Sequence, residues 1–341
     1  MPQKRVTVQA LAEACQLSRN TVSKVFNQRG NVPESTRQFV LAKARELGYY
    51  SRAQLSAPAE AGGTIAVLSW SNPLNHNFGS MLMKAFTDTV CRWGYSVQMY
   101  ELSTAELAGH RLPAGVSAEN IRGVLCIELF DRGFIEMLSR LGLPTVSVDA
   151  YCQVNRSPIL CDVITMENMR SVIALTRQLF AAGARSLGFV GDRLHCNSFC
   201  ERWNGFCTAL QDAGLEPDPR LCIMEKDSSQ YADPDWTLAR LKEMPRLPDA
   251  FLCANDFHAV KLIQALKKLG RRIPEDLMVA GFDDAPEAAV IEPSLTTVHI
   301  PSSDMGVHAA ELLLSRIRNP ERPYTMTYVQ TTPVFRESTR R

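Results

Sequence analysis

From Thr64 onward, apolar runs alternate with amphipathic stretches. The runs TIAVLSW, YSVQMY, GVLCIE, PTVSVD, SLGFVG, DAFLCA and LMVAGF have the length of buried strands. Between them, GSMLMKAFTDTVCRW, MENMRSVIALTRQLFAAG and FHAVKLIQALKKLG carry apolar residues at helical spacing. Strands that alternate with helices predict parallel sheet covered on both faces. The strand series breaks near 150–163, which predicts two subdomains facing each other across a cleft. Ligands in such folds bind at the carboxyl ends of the strands. In AELAGHRLPAGVSAEN, Pro113 and Gly115 interrupt an expected helix and make the first subdomain locally atypical.

The first fifty residues have a different rhythm. Val8, Leu11 and Ala12 suit the buried side of one short helix, and Val22, Val25 and Phe26 that of the next. Between them CQLS makes a tight turn ending on Ser18, a good N-cap. A third helix is predicted in VPESTRQFVLAKARELGYY, with Val40, Ala44 and Leu47 inward and Gly48 as its stop. The outer face of the second helix presents Arg19, Asn20, Ser23 and Lys24, with no acidic residue between Glu13 and Glu34. Three short helices, the second with a cationic outer face, predict a helix-turn-helix whose second helix enters the DNA major groove. A generic three-helix bundle is the competing account.

Charge strengthens the DNA account. The net charge is +1, but residues 1–60 carry +5 and the remainder −4. A basic head on a mildly acidic body suggests that only the head meets a polyanion. Hydrophobic content of 45% and charged content of 21% are ordinary for a globular chain. No apolar run approaches a membrane span, and Gln9 and Glu13 break any apolar segment near the start. A cytoplasmic protein without membrane contact is expected.

The ten cysteines are scattered, so reduced thiols are expected rather than disulfides. The densest group, His195, Cys196, Cys200 and Cys207, matches no common zinc spacing. Cys126 and Cys253 lie within apolar runs and read as small buried hydrophobes. No metal and no cofactor are expected. GxGxxG, GxxxxGK[ST], GxSxG and HExxH are absent from the sequence, which places binding ahead of catalysis.

The head resembles the headpiece of the lactose-repressor (LacI/GalR) family over VTVQALAEACQLSRNTVSKVFNQRGNVPESTRQFVLAKARELGYY. The shared residues include Val6-Thr7, Leu17-Ser18, Thr21-Val22-Ser23, Val25, Asn27, Val32, Thr36-Arg37 and Leu47-Gly48-Tyr49. Gln16 departs from the pattern, standing where the family usually has its turn glycine. The resemblance implies that Arg19 and Asn20 read bases. It sets Thr7, Ser18, Thr21, Ser23 and Asn27 against phosphates, and Lys24 on base or backbone.

The body resembles the effector domain of the same family, related to periplasmic sugar-binding proteins, in ERWNGFCTALQDAG, PDAFLCANDFHAVKLIQALKKLGRRIPEDLMVAGFDDAPEA and PSLTTVHIPSSDMG. The implied fold class is α/β. A three-helix helix-turn-helix headpiece precedes a periplasmic-binding-protein-like core of two doubly wound parallel-sheet subdomains. By position, Arg202 clamps effector hydroxyls with its fork of donors, and Asn255 and Asp283 share them. Asp149 ends its strand in a similar place, and Trp70 and Phe78 are positioned to stack on an apolar sugar face. Core packing is the alternative role for each aromatic, and a surface salt bridge for Arg202. Ile300 stands where many relatives carry a polar pocket residue.

The expected organisation is headpiece 1–50, hinge 51–63, effector core 64–335 and tail 336–341. The first subdomain takes about 64–162 and 296–325, the second about 163–293 and 326–335. The resemblance implies a repressor acting as a homodimer on double-stranded operator DNA, switched by a sugar or sugar derivative. Effector closes the cleft, shifts the subdomains and reorients the hinge. With no leucine heptad after VFRESTRR, a dimer is expected, with Val290 and Ile291 as interface candidates. In the hinge, YYSRAQLSAPAEAGG offers Leu55 as a minor-groove wedge, while Pro58 limits any helix there. The hinge is therefore either a short DNA-induced helix or a flexible tether. Two other classes stay open: a solute-binding protein without gene regulation, and a carbohydrate enzyme using Asp149 and Asp283.

Overall fold

The computed structural model describes residues 8–27, 32–33, 35–37, 39–40, 43, 62–71, 73–75, 77–156, 158–226 and 229–341. Thr7, Gly48, Leu55 and the remaining hinge residues to Ala61 lie outside the described residues, as does the side chain of Asn27.

The head begins with α1 (Val8–Ala14) and α2 (Arg19–Asn27). Residues 35–37, 39, 40 and 43 are also helical, within the predicted third helix. Leu11, Ala12, Cys15, Val22, Val25 and Val40 form one buried cluster, with Val8, Leu17 and Val32 against it. The apolar periodicity thus converges on one small core. The Arg37 guanidinium donates to the Val25 carbonyl at 3.3 Å, tying the third helix to the second.

The body starts with β1 (Gly63–Ser69), α3 (Asn77–Cys91), β2 (Tyr95–Glu101) and a five-residue helix α4 (Thr104–Ala108). Ser103 and Glu106 close a capping box on α4, which ends before Pro113 and Gly115 as the sequence implied. Then come β3 (Ile121–Ile127), α5 (Arg132–Arg140), β4 (Thr145–Val148) and β5 (Asp162–Met166). These join a six-stranded sheet in the order β10-β5-β4-β3-β1-β2, where β10 is Met326–Val329. All pairs from β10 through β1 are parallel.

A second, three-stranded parallel sheet holds β6 (Leu187–Val190), β7 (Ala250–Cys253) and β8 (Met278–Ala280). Around it lie α6 (Met169–Ala181), α7 (Asn197–Asp212), α8 (Pro234–Glu243), α9 (Asp256–Lys268) and α10 (Pro286–Val290). β9 (Thr297–His299) bridges to the β8 segment and pairs antiparallel with β11 (Thr332–Val334). The long α11 (Ser302–Arg318) lies against α3. There Gly306 is required, because a Cβ would meet the Leu82 carbonyl oxygen at 2.2 Å.

Sheet membership moves two expected boundaries. Residues 163–166 and 326–329 pair within the first sheet, not the second. The cause is Asp162, a fully buried carboxylate that accepts from Arg316 Nε and Arg322 Nη2, each at 2.8 Å, and from Thr325 N at 2.9 Å. An unpaired charge there would be expensive, so α11 and the approach to β10 are locked onto the start of β5. The chain therefore crosses between the two layers after β5, after β9 and after β10.

Among the described residues no helix is long and apolar enough to cross a membrane, and no group of three or more His, Cys, Asp or Glu is arranged to hold a metal ion. Cys126 and Cys253 are buried within β3 and β7 as read from the sequence.

Candidate functional site

Two features of the molecule are candidates for function. In the head, α1 is followed by Gln16, whose φ of 54° is left-handed. Leu17 N donates to Ala12 O at 3.0 Å and Gln16 N to Glu13 O at 3.1 Å, a Schellman closure usually made by glycine. Glutamine thus adopts the glycine conformation at a modest strain. Ser18 Oγ accepts from Thr21 N at 3.0 Å, so it caps α2. Arg19, Asn20 and Lys24 are exposed, while Thr21 and Ser23 are half-buried on the flank. The face opposite the core is therefore cationic and polar.

In the body, a cleft of about 260 Å³ is lined by Trp70, Phe78, Asp149, Arg202, Asn255 and Asp283 together with ten further residues. All six candidates read from the sequence meet in this one place. Trp70 follows β1, Asp149 follows β4, Asn255 follows β7 and Asp283 follows β8, so strand ends supply most of the lining. Arg202 and Ser198 come from α7, whose first turn is joined to the first layer by Asn197 N donating to Ala150 O at 2.8 Å.

Arg202 is 3% exposed, which removes the surface-salt-bridge alternative. Its Nε donates to Asn168 Oδ1 at 2.9 Å and its Nη1 to Ala254 O at 2.6 Å. Nη1 also reaches Asp283 Oδ1 at 3.4 Å, and the guanidinium lies 3.6 Å from the Phe282 ring centroid. A guanidinium held on one face and two nitrogens is pre-oriented, so little entropy is lost when a ligand meets it.

That hold extends further. Asn168 Nδ2 donates to Glu201 Oε2 at 2.9 Å, and Glu201 Oε1 accepts from Asn197 Nδ2 at 3.0 Å and from the Tyr328 hydroxyl at 2.5 Å. Tyr328 is on β10 of the first sheet and Glu201 on α7 of the second layer. A continuous polar chain thus runs from Arg202 across the two layers.

The carboxylates are held in unusual backbone. Glu128, Asp149 and Asp283 have φ of 53°, 63° and 124°, a region that side chains seldom occupy. Strain of this kind clusters at ligand sites. It turns each side chain off its strand end. Ala150 N donates to Asp149 Oδ1 at 2.8 Å, and the Cys196 and Ser198 side chains also hydrogen-bond it. Burial nonetheless raises the Asp149 carboxyl above its ordinary range. Burial pushes Asp283 up to about 7 against the pull of Arg202, with Asp256 and Glu128 repelling its charge. Its side chain keeps 28% of its surface open, so a ligand can reach it.

Asn255 caps α9, its Oδ1 accepting from His258 N at 2.9 Å, which commits the oxygen and leaves the amide donors. Behind it, burial above all, with His195 and Arg202 nearby, lowers the His258 imidazole to about 3, so it is neutral. Trp70 is 44% exposed, far from core packing, and Phe78 is half-buried.

Comparisons with known proteins bear on the chain as a whole. Residues 176–339 match the periplasmic binding protein-like domain family. The chain is 27% identical over 327 residues to the HTH-type transcriptional regulator GalR of Lacticaseibacillus casei, covering 93% of this chain and 94% of that protein. It is 28% identical over 322 residues to the HTH-type transcriptional regulator GntR of Escherichia coli K12, with coverage of 93% and 94%. Among solved structures, the transcriptional regulator CelR–cellobiose complex matches at a TM-score of 0.69 with 26% identity, over 98% of this chain and 100% of that one. Over nearly its whole length the chain is similar to regulators of the LacI/GalR kind.

The sequence reading missed several lining residues. Ser71 and Glu128, hydrogen-bonded to each other, lie within two residues of the ends of β1 and β3, and the strand-end rule would have found both. Phe130, His195 and Phe199 form an aromatic wall with ring centroids 5.2 Å apart. Phe130 comes from one segment and His195 and Phe199 from another, around the start of α7, so sequence proximity does not bring the three together. Ile300 is buried and does not line the cleft. His195 and Cys196 also line it, whereas Cys200 and Cys207 do not.

Proposed function

We propose that this chain is an effector-responsive, sequence-specific DNA-binding repressor of a carbohydrate-utilisation operon. It acts as a homodimer on double-stranded operator DNA and is switched by a small sugar or sugar derivative. The observation that carries the reading is the convergence of six separately inferred residues on one cleft, centred on a buried Arg202. The names of the relatives support it: they are transcriptional regulators, and the CelR structure is a complex with cellobiose. Those names also favour a binder over an enzyme.

In this reading Arg19 and Asn20 meet base edges, with Lys24 on base or backbone. Thr7, Ser18, Thr21, Ser23 and Asn27 meet phosphates, and Leu55 is the minor-groove wedge of the hinge. Arg202, Asn255, Asp283 and Asp149 bind effector hydroxyls, while Trp70 and Phe78 cover an apolar ring face. Effector drawn to Arg202 perturbs the Asn168–Glu201–Tyr328 chain and so biases the two layers toward one arrangement. Such coupling is worth ~1–3 kcal/mol. Val290, 79% exposed, is an interface residue of the homodimer, with the half-buried Ile291 behind it.

The test is a mobility shift on an operator selected from random duplex, repeated with added sugars and at rising salt. Sequence-specific retardation that weakens steeply with salt and responds to one sugar is expected. Retardation absent at every salt concentration, with a sugar still bound by calorimetry, would leave a solute-binding protein instead.

A further inference from the structure

The charge balance of the cleft narrows the kind of molecule it takes, granted the reading of the cleft as an effector site. Three carboxylates line it, Glu128, Asp149 and Asp283, and one guanidinium, Arg202. That guanidinium is already engaged by Asn168 Oδ1, the Ala254 carbonyl and Asp283, at 2.9, 2.6 and 3.4 Å. Among the described residues no lysine and no second arginine lines the cleft. We propose that the effector is an uncharged, hydroxyl-rich molecule of monosaccharide size, and that the cleft rejects the acid and phosphate forms of the same ring.

The donor inventory argues the same way. An ionised carboxylate only accepts hydrogen bonds and a protonated one adds a single donor, so Glu128, Asp149 and Asp283 offer a ligand mainly acceptors. Hydroxyls supply donors, and their oxygens accept in turn from Arg202 and from the Asn255 amide, whose own oxygen is taken by His258 N at 2.9 Å. An anionic ligand has acceptors where the cleft has acceptors. It needs a surplus of positive charge, as bidentate arginine clusters provide, and here the surplus is negative. Even with the Asp283 carboxyl protonated, Glu128 and Asp149 outnumber the one guanidinium among the described lining residues. The volume of about 260 Å³ sits at the small end of ligand sites, which suits one ring between Trp70, Phe78 and the polar wall.

The test is a thermal-shift and calorimetric panel on the full chain. It uses D-glucose, D-galactose, D-ribose and myo-inositol, beside gluconate, galacturonate, glucose 6-phosphate and ribose 5-phosphate. A neutral member is expected to raise the melting temperature and bind at least ~100-fold tighter than its acid or phosphate counterpart. An acid or phosphate that binds while its neutral parent does not overturns the charge inference and leaves a sugar-derived effector standing. Binding by no member overturns both. In Glu128→Gln the preference for the neutral sugar over its acid is expected to narrow about tenfold. An unchanged ratio means that carboxylate repulsion does not set the selectivity.

Discussion

Helices α2 and α7 each carry an arginine proposed to meet a partner, yet they hold it in opposite ways. Arg19 stands exposed at the start of α2, and nothing in the head's small core depends on it. Arg202 is buried on α7 and fixed by Asn168, the Ala254 carbonyl and the Phe282 ring. A side chain that must meet a large external partner gains from standing free on a rigid helix. One that must meet a small ligand gains from being oriented before the ligand arrives. The difference sets what each substitution does: at Arg19 only recognition changes, whereas at Arg202 recognition and local packing change together.

Arg202→Ala is expected to have the largest effect. Removing one partner of a buried ion pair typically costs ~3–5 kcal/mol, because the other charge is left behind. Effector binding should vanish in calorimetry, and the melting temperature of the body should fall, while operator retardation persists. Asp283→Asn should also abolish the effector response with a smaller loss of stability. Effector affinity at the wild-type level in Arg202→Ala would remove the arginine from the site.

Arg19→Ala or Asn20→Ala comes next, at ~1–3 kcal/mol for each lost base contact. The decisive readout is preference and not affinity alone. Selection from a randomised duplex should yield relaxed specificity at one or two base pairs, with the melting temperature unchanged. Ser23→Ala, at a phosphate position, should weaken all sequences alike. If Arg19→Ala leaves the ratio of operator to random duplex unchanged, α2 does not read bases through that residue.

A pH titration sharpens the body side. The Asp283 carboxyl is raised to about 7, so the folded protein binds its proton more tightly than the unfolded chain. Its contribution is therefore fully present at low pH and is lost as pH rises through about 7. Asp256, raised by burial to about 6, acts in the same direction, and His258, lowered to about 3, acts in the opposite one. The wild-type curve sums these, but its difference from Asp283→Asn isolates one group. The melting temperature of the variant relative to wild type should climb between about pH 4 and about pH 7, then level off. Parallel curves would mean that Asp283 is not the titrating group.

The two regions were also legible to different degrees. In the head, the periodicity of Leu11, Ala12, Val22 and Val25 gave the helices and the core, and Ser18 gave the cap. That the outer face meets DNA was read from charge and helix pattern, but which side chain meets base or phosphate came only through resemblance, since an exposed side chain leaves no packing signature. In the body, seven apolar runs located β1 to β4 and β6 to β8, and strand ends led to Trp70, Asp149, Asn255 and Asp283. β5 escaped because it opens on Asp162, a charge satisfied by Arg316 and Arg322 more than 150 residues later in the chain. β9 and β11 are three residues each and β10 four, too short for any period to register. The Asn168–Glu201–Tyr328 chain joins residues far apart in sequence, which local reasoning does not pair.

The smallest expected effect tests whether Ser18 shapes the helix or touches the DNA. Its Oγ accepts from Thr21 N at 3.0 Å, and removing such a cap typically costs ~1 kcal/mol. In full-length Ser18→Ala, hydrogen exchange at the Thr21 amide should accelerate roughly fivefold, the equivalent of that free energy. Operator affinity should fall with no change in base preference. Ser18→Asp separates the two roles, because aspartate caps as well as serine but brings a negative charge toward the backbone. Exchange at Thr21 should then return to the wild-type rate while operator binding stays weak, most visibly at low salt. If Ser18→Asp restores both exchange and operator affinity, Ser18 acts through the cap alone, and the phosphate contact belongs to its neighbours on α2.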